Sequence, residues 1–327
     1  MVSIFRDKSP VNVFWLIGLS ILLHAHFLVS PPQVLATSND GFISELLVKY
    51  ITPLPAFAIA VLYHITVIMQ ALRLNYILND IKMFQRPAFT TAMAYILFTG
   101  LLPEWNHLSA ALITNNFIIW LIYLIARLYN SPHPKSLIYN IGLIAGLAVA
   151  GYYPSLPIII IVYLALAVSR PFHANEWFIL LMGIVTPFYF LAAWLFMNDQ
   201  IVLMRRYIPV WQPHIIHIKN LKGSIIAFAS LGVSLITGIL IWQSNNGRML
   251  IQARRTWSVL LAMLFLFIPM LFVIKGLYLE SLLLAFVPAA AFAANFFLYP
   301  RGIVIPAIFF WLYVGLIVYN NWFVLKS

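Results

Sequence analysis

Eight carboxylates are all that this 327-residue chain offers for acid–base chemistry, and most lie outside its apolar runs. Asp40 and Glu45 share one polar stretch, and Glu104 stands in the short turn L-P-E-W-N-H. Asp40 and Glu104 are the candidate catalytic residues. Glycosyl transfer from a lipid phosphate needs an outer-face carboxylate to take the proton of the attacking hydroxyl. It also needs cations on the phosphate. The segment M-R-R-Y-I-P-V-W-Q-P-H-I-I-H-I-K-N-L-K, Met204–Lys222, supplies them: Arg205, Arg206, Lys219 and Lys222, beside Tyr207 and Trp211. These four are the candidate lipid-phosphate-binding residues. An amphipathic segment lying on the membrane explains the same pattern without a ligand.

A second set of polar residues lies inside apolar runs, where each is costly unless partnered. His64, Asn115 and Asn116 are the candidates for a polar intramembrane path. Interhelical hydrogen bonding accounts for them equally simply. His24 and His26 are two apart and on a helix would point in different directions. His214 and His217, three apart, have Pro213 beside them and no carboxylate nearby, so no metal site is expected. Cysteine is absent, which excludes disulfides, thiolate metal sites and cysteine nucleophiles. No dinucleotide or Walker-type phosphate loop, zinc-peptidase helix or hydrolase serine elbow occurs, so no cofactor and no intrinsic ATPase are expected.

The elements that must position these residues are transmembrane helices. The chain is 63% hydrophobic and 8% charged, with a mean hydropathy of +0.96. Soluble domains are about 45–50% apolar and about 25% charged. Apolar runs between polar breaks number about eleven: roughly Val11–Val29, Leu54–Leu72, Ala88–Leu102, Leu108–Leu128, Leu137–Tyr153, Pro157–Ser169, Trp177–Met197, Gly223–Trp242, Trp257–Ile274, Ser281–Leu298 and Ile303–Val324. The third, fifth and sixth are short, as tilted, re-entrant or broken helices would be. The first lacks a convincing cleavage site and reads as a helix rather than a signal peptide.

With the N-terminus inside, twelve cations fall on the inner side and seven on the outer. This bias predicts a cytoplasmic N-terminus, and it explains the net charge of +11 through loops facing anionic lipid rather than through nucleic acid. Trp105, Trp177, Trp211, Trp242, Trp257 and Trp322 lie near the run ends and read as interfacial belts. Gly142, Gly146 and Ala150, and again Ser230, Ser234 and Gly238, are spaced for close helix packing. Pro187 and Pro269 lie inside runs, and Pro154 and Pro157 flank a tight turn. No stretch between runs is long enough for a soluble domain, so residues 1–327 form one integral membrane domain.

The segments Phe5–Asn12 (F-R-D-K-S-P-V-N), Leu102–Asn116 (L-P-E-W-N-H-L-S-A-A-L-I-T-N-N) and Ser169–Trp177 (S-R-P-F-H-A-N-E-W) resemble an uncharacterised family of multi-pass integral membrane proteins from Bacteroidetes. The resemblance covers nearly the whole chain and carries no catalytic residue over. Some members bear the name beta-carotene monooxygenase. Carotenoid oxygenases are β-propellers that hold iron with four histidines, and an all-helical chain with scattered histidines is not one. More distantly the chain is similar to C-type membrane glycosyltransferases, which use polyprenyl-phosphate sugars, have about a dozen spans and carry an acid in the first outer loop. Asp40 matches that acid. The paired acids of those enzymes are missing here, since the segment reads S-N-D-G-F.

The expectation is therefore an all-α polytopic bundle in a bacterial inner membrane, an envelope component binding lipid or a membrane protein partner. The alternatives are a polyprenyl-phosphate-sugar-dependent glycosyltransferase, with Asp40 as base, and a permease lined by His64 and Asn115.

Overall fold

Apolar side chains that water would not tolerate cover the outside of the molecule: Leu28 is 91% exposed, Met197 81% and Phe57 80%. Lipid is the solvent that fits them. The computed structural model describes residues 1–35, 40–129, 131–200, 221–270, 279–300 and 302–323.

The helices in chain order are α1 (Val2–Phe5), α2 (Asn12–Leu23), α3 (Phe42–Leu46), α4 (Ala56–Asp80), α5 (Thr90–Thr99), α6 (Ala110–Leu128) and α7 (Pro134–Gly151). They continue with α8 (Pro157–Ser169), α9 (Ala174–Met197), α10 (Leu221–Asn245), α11 (Ile251–Met270), α12 (Leu283–Leu298) and α13 (Val304–Val318). Two short strands, β1 (Val34–Leu35) and β2 (Leu108–Ser109), pair in parallel.

Local chemistry sets several boundaries. Ser109 caps α6 by accepting from the Leu112 N–H at 3.2 Å. Pro134 and Pro157 open α7 and α8, where a missing N–H costs nothing. Lys82 closes α4 with a left-handed φ of +57°, and the Met83 N–H reaches back to the Leu78 carbonyl at 3.0 Å.

Among the described residues, eight helices are long and apolar enough to cross a membrane, fewer than the eleven runs expected. Three runs form shorter apolar helices, Asn12–Leu23, Thr90–Thr99 and Tyr153–Ser169. At about 1.5 Å per residue, α5 is about 15 Å long, half of a 30 Å hydrocarbon core. All ten of its residues are buried. The run Ala88–Leu102 is apolar on every side because protein surrounds it, and a helix wrapped by others need not cross the hydrocarbon alone.

The other centre is α12, whose sixteen residues are all buried. It packs on α5, α6, α10 and α11. Its alanines admit close neighbours, and Gly238 of α10 lies against the Phe292 carbonyl. Two arginines hold its C-terminal carbonyls: Arg6 Nε donates to Phe297 O at 2.7 Å and Arg86 Nη2 to Leu298 O at 3.1 Å. Burial, and then the neighbouring Arg86, push Arg6 below its ordinary guanidinium value. Trp105 and Trp257 are fully buried here rather than interfacial, with ring centroids 4.6 Å from Phe286 and 4.8 Å from Phe292. Trp242 packs on the same group, 5.5 Å from Phe292.

The small-residue stripe of α7 meets α9. Gly142 lies on the Leu180 carbonyl and Gly183, and Gly146 on the Ile184 carbonyl beside Pro187. The stripe of α10 takes Tyr313, whose hydroxyl donates to Ser230 O at 2.9 Å and Ser234 Oγ at 2.8 Å.

These contacts define two ends. Arg6, Arg86, Arg170 and Arg255 gather at one, through bonds to Phe297, Leu298, Glu176 and Ser169. This basic end carries cations that the charge count assigned to one side. The opposite end holds residues 24–35, 40–47, 103–109, 152–155 and 279–282.

Candidate functional site

The opposite end gathers polar side chains that burial alone would forbid. Asp40 and Glu280 are each 6% exposed. Asp40 is brought in by its own backbone: its carbonyl accepts from the Tyr153 N–H at 2.9 Å. The next residue, Gly41, has a φ of +130° and lies directly on the Gly151 carbonyl, an approach only glycine allows. Glu280 stands in the 3₁₀ turn Leu279–Leu282 that leads into α12. That turn is pinned by Trp105 Nε1, which donates to Leu279 O at 2.8 Å.

Asp40 and Glu280 lie within electrostatic reach of each other, and both act on Tyr152. Burial first, then Asp40 and Glu280, push the Tyr152 phenol well above its ordinary value. One Glu280 oxygen, Oε2, is buried without a hydrogen-bond partner. Glu104, half-buried in the turn Pro103–Trp105 beside the Leu279 turn, likewise has an unpartnered buried Oε2. The only ion pair among the described residues is Arg170–Glu176 at the basic end. Asp40 and Glu280 thus converge, and the turn that carries Glu104 packs beside the turn that carries Glu280. Glu280 escaped the sequence reading because it borders an apolar run and looks like an ordinary span-end acid. The scarcity of acids in the chain was the signal that could have found it.

An apolar groove starts beside this cluster. Phe42, two residues from Asp40, lines it with Leu143, Leu147, Ala150, Pro187 and Phe190, enclosing about 290 Å³ between α7 and α9. It opens sideways towards lipid, since Phe190 is exposed. Glu45, by contrast, is exposed on α3.

The histidines make a second cluster on the same end. α2 stops at Leu23, so His24 and His26 are not on one helix, and their rings come within 6.0 Å of each other. His64 joins them, 5.4 Å from His24, and its Nδ1 shares a hydrogen bond with Ser20 Oγ at 3.1 Å. The Tyr63 hydroxyl lies 3.3 Å from His24 Nε2 and donates to Trp105 O at 3.3 Å. His107 is an electrostatic neighbour of His26. Through Trp105 the histidine cluster adjoins the acids. No three potential ligands among the described residues could hold a metal ion.

Asn115 is fully buried and engaged. Its Nδ2 donates to Tyr95 Oη at 3.0 Å and Leu283 O at 2.9 Å. Tyr95 donates to Gln70 Oε1 at 2.7 Å, and Gln70 donates to Leu112 O at 2.6 Å. This chain of bonds ties α4, α5, α6 and α12 together, while Asn115 Oδ1 stays buried without a hydrogen-bond partner. Asn116 makes only a local bond to Ile113 O at 3.1 Å. Among the described residues, neither His64 nor Asn115 lines the groove at Phe42 or the two that run beside α4. Lys222 is exposed at the start of α10. Arg205, Arg206 and Lys219, with His214 and His217, lie outside the described residues.

No family model, curated protein or solved structure matches this chain.

Proposed function

We propose that this chain is an inner-membrane protein that binds a long-chain lipid, with its headgroup at Asp40 and Glu280 and its tail in the groove between α7 and α9. The observation that carries this reading is the pairing of two buried carboxylates with an apolar groove that begins two residues away, at Phe42. The unpartnered Glu280 oxygen leaves an acceptor for a headgroup hydroxyl or amine. With the basic end cytoplasmic, that headgroup would lie on the periplasmic side.

One observation favours a catalytic version. The second acid that the sequence lacks next to Asp40 is provided through space by Glu280. In polyprenyl-phosphate-dependent glycosyl transfer, Asp40 takes the proton of the acceptor hydroxyl. The sugar C1–O bond to that hydroxyl forms as the C1–O bond to phosphate breaks. The polyprenyl phosphate leaves with the electron pair, against Arg205, Arg206, Lys219 and Lys222. Glu280 and Glu104 hold the acceptor.

Purification in mild detergent, with mass spectrometry of every bound molecule, tests both versions. A co-purifying polyprenyl phosphate or lipid-linked sugar, lost in Asp40→Asn and Glu280→Gln, supports glycosyl transfer. Another long-chain lipid lost in the same variants supports lipid binding alone. Phospholipid in bulk membrane proportions, unchanged in both variants, overturns the reading.

A further inference from the structure

We propose a second lipid site at the basic end, one that holds the phosphate of an anionic phospholipid between Lys8 and Lys82 and one acyl chain between α4 and α6. It is independent of the site at Asp40 and lies at the other end of the bundle.

Two adjoining cavities make this site. The first, about 890 Å³, sets the polar side chains of Lys8, Asn75, Asn79, Asp80, Lys82 and Gln85 among apolar ones that include Val13 and Phe89. The second, about 460 Å³, is lined by Met69, Leu72, Arg73, Tyr76, Trp120 and Tyr123. Leu72 and Tyr76 line both, so the mouth at Lys8 and Lys82 and the hydrocarbon-facing groove adjoin across these two side chains. Tyr76 is 68% exposed and Met69 52%, so the groove is open along its length to lipid.

Its dimensions fit a lipid. From Asp80 to Met69 is eleven residues of α4, roughly 16 Å at about 1.5 Å each. One leaflet of the hydrocarbon core is about 15 Å deep. The polar mouth and apolar groove therefore divide at about the depth where a phospholipid divides.

The charge fits an anion. Lys8, Lys82 and Arg73 face one acid in the lining, Asp80. Asn75 gives an independent sign of a ligand. It is 3% exposed, it lines the polar cavity, and its Oδ1 is buried with no hydrogen-bond partner. A glycerol or headgroup hydroxyl would satisfy it. Lys82 holds a φ of +57°, where glycine is the favoured residue, so a glycine there tests the ammonium without disturbing the backbone.

The test is retention of added lipid by the intact protein in mild detergent, read by native mass spectrometry, with phosphatidylglycerol and phosphatidylcholine of identical chains. The expected result is a preference for phosphatidylglycerol of at least tenfold. Each lysine near a headgroup contributes about a fivefold factor. Lys82→Gly suits the backbone, so it should lower phosphatidylglycerol retention about fivefold without lowering Tm. Lys8→Gln with Lys82→Gln should abolish the preference, and Lys82→Arg should keep it. Leu72→Trp, which fills the groove, should weaken both lipids. Equal retention of the two lipids by the native chain overturns the proposal, as does an unchanged preference in the double variant. Displacement by millimolar inorganic phosphate overturns it too, since a free anion would then suffice.

Discussion

Gly41 shows how one residue without a side chain positions one with a charge. Its φ of +130° and its seat on the Gly151 carbonyl fold the segment back so that Asp40 is buried beside Tyr152. A Cβ at Gly41 would meet the Tyr152 nitrogen at 2.9 Å as well, with only backbone to push against. Gly41→Ala should cost about 1–3 kcal/mol, seen as a lowered Tm, and should release Asp40 from the cluster. Tyr152 gives a prediction in pH. Its phenol is held above the ordinary value of about 10, mainly by burial and then by Asp40 and Glu280. Its contribution to stability is therefore complete below about pH 10 and is lost as pH rises towards the folded value. The Tm difference between the native chain and Tyr152→Phe should be constant below about pH 10, and above it the native chain should lose Tm more steeply than the variant. Lys82→Gly should gain about 0.5–1 kcal/mol, because it removes left-handed strain and introduces only the entropy of a glycine. Asp40 itself was legible in the sequence as an isolated acid in a polar stretch. Its partner was not, because 240 residues separate Asp40 from Glu280 and no local pattern records that the turns carrying them meet.

At the level of elements, spacing carried more than composition. The stripe Gly142, Gly146 and Ala150 could be read as a close crossing, and α7 does meet α9 at Gly142 and Gly146, backbone on backbone, with Gly183 as the unforeseen partner on α9. Gly183→Val should separate the two helices and lower Tm by several degrees, while Gly232→Val, which would meet nothing within 4 Å, should leave it unchanged. Element length was read less well. Hydropathy measures how apolar a segment is and does not distinguish lipid from protein as its surroundings. Hence Ala88–Leu102 looked like a span and is the short buried α5. For the same reason Trp105, Trp242 and Trp257 looked like membrane-surface anchors. They are core residues packed edge-on or tilted against Phe286 and Phe292, with Trp257 Nε1 donating to Met83 O at 3.3 Å. His24 and His26 were separated by assuming a continuous helix, and the break after Leu23 brings them together.

For the whole molecule, the contacts that assemble the basic end make orientation testable. The chain has no cysteine, so single cysteines report sidedness without background. Gln85→Cys and Gln243→Cys, both exposed at the basic end, should react with an impermeant maleimide from one side only. Pro31→Cys and Asn198→Cys should react from the other. Labelling of Gln85→Cys and Asn198→Cys from the same side would mean an even number of crossings between them and would remove one of the short helices α5 and α8 from the count. The placement of α12 has a further consequence, in time. This helix fills the middle of the bundle, yet it is made after α2 to α11. At about 5–20 residues per second, α5 leaves the ribosome roughly 10–40 seconds before the helix that will cover it. During that interval the bundle has a vacant centre, and the alanine-rich α12 must enter between helices already in place. Biogenesis therefore closes from the outside inwards, with the core helix entering late and only α13 made after it.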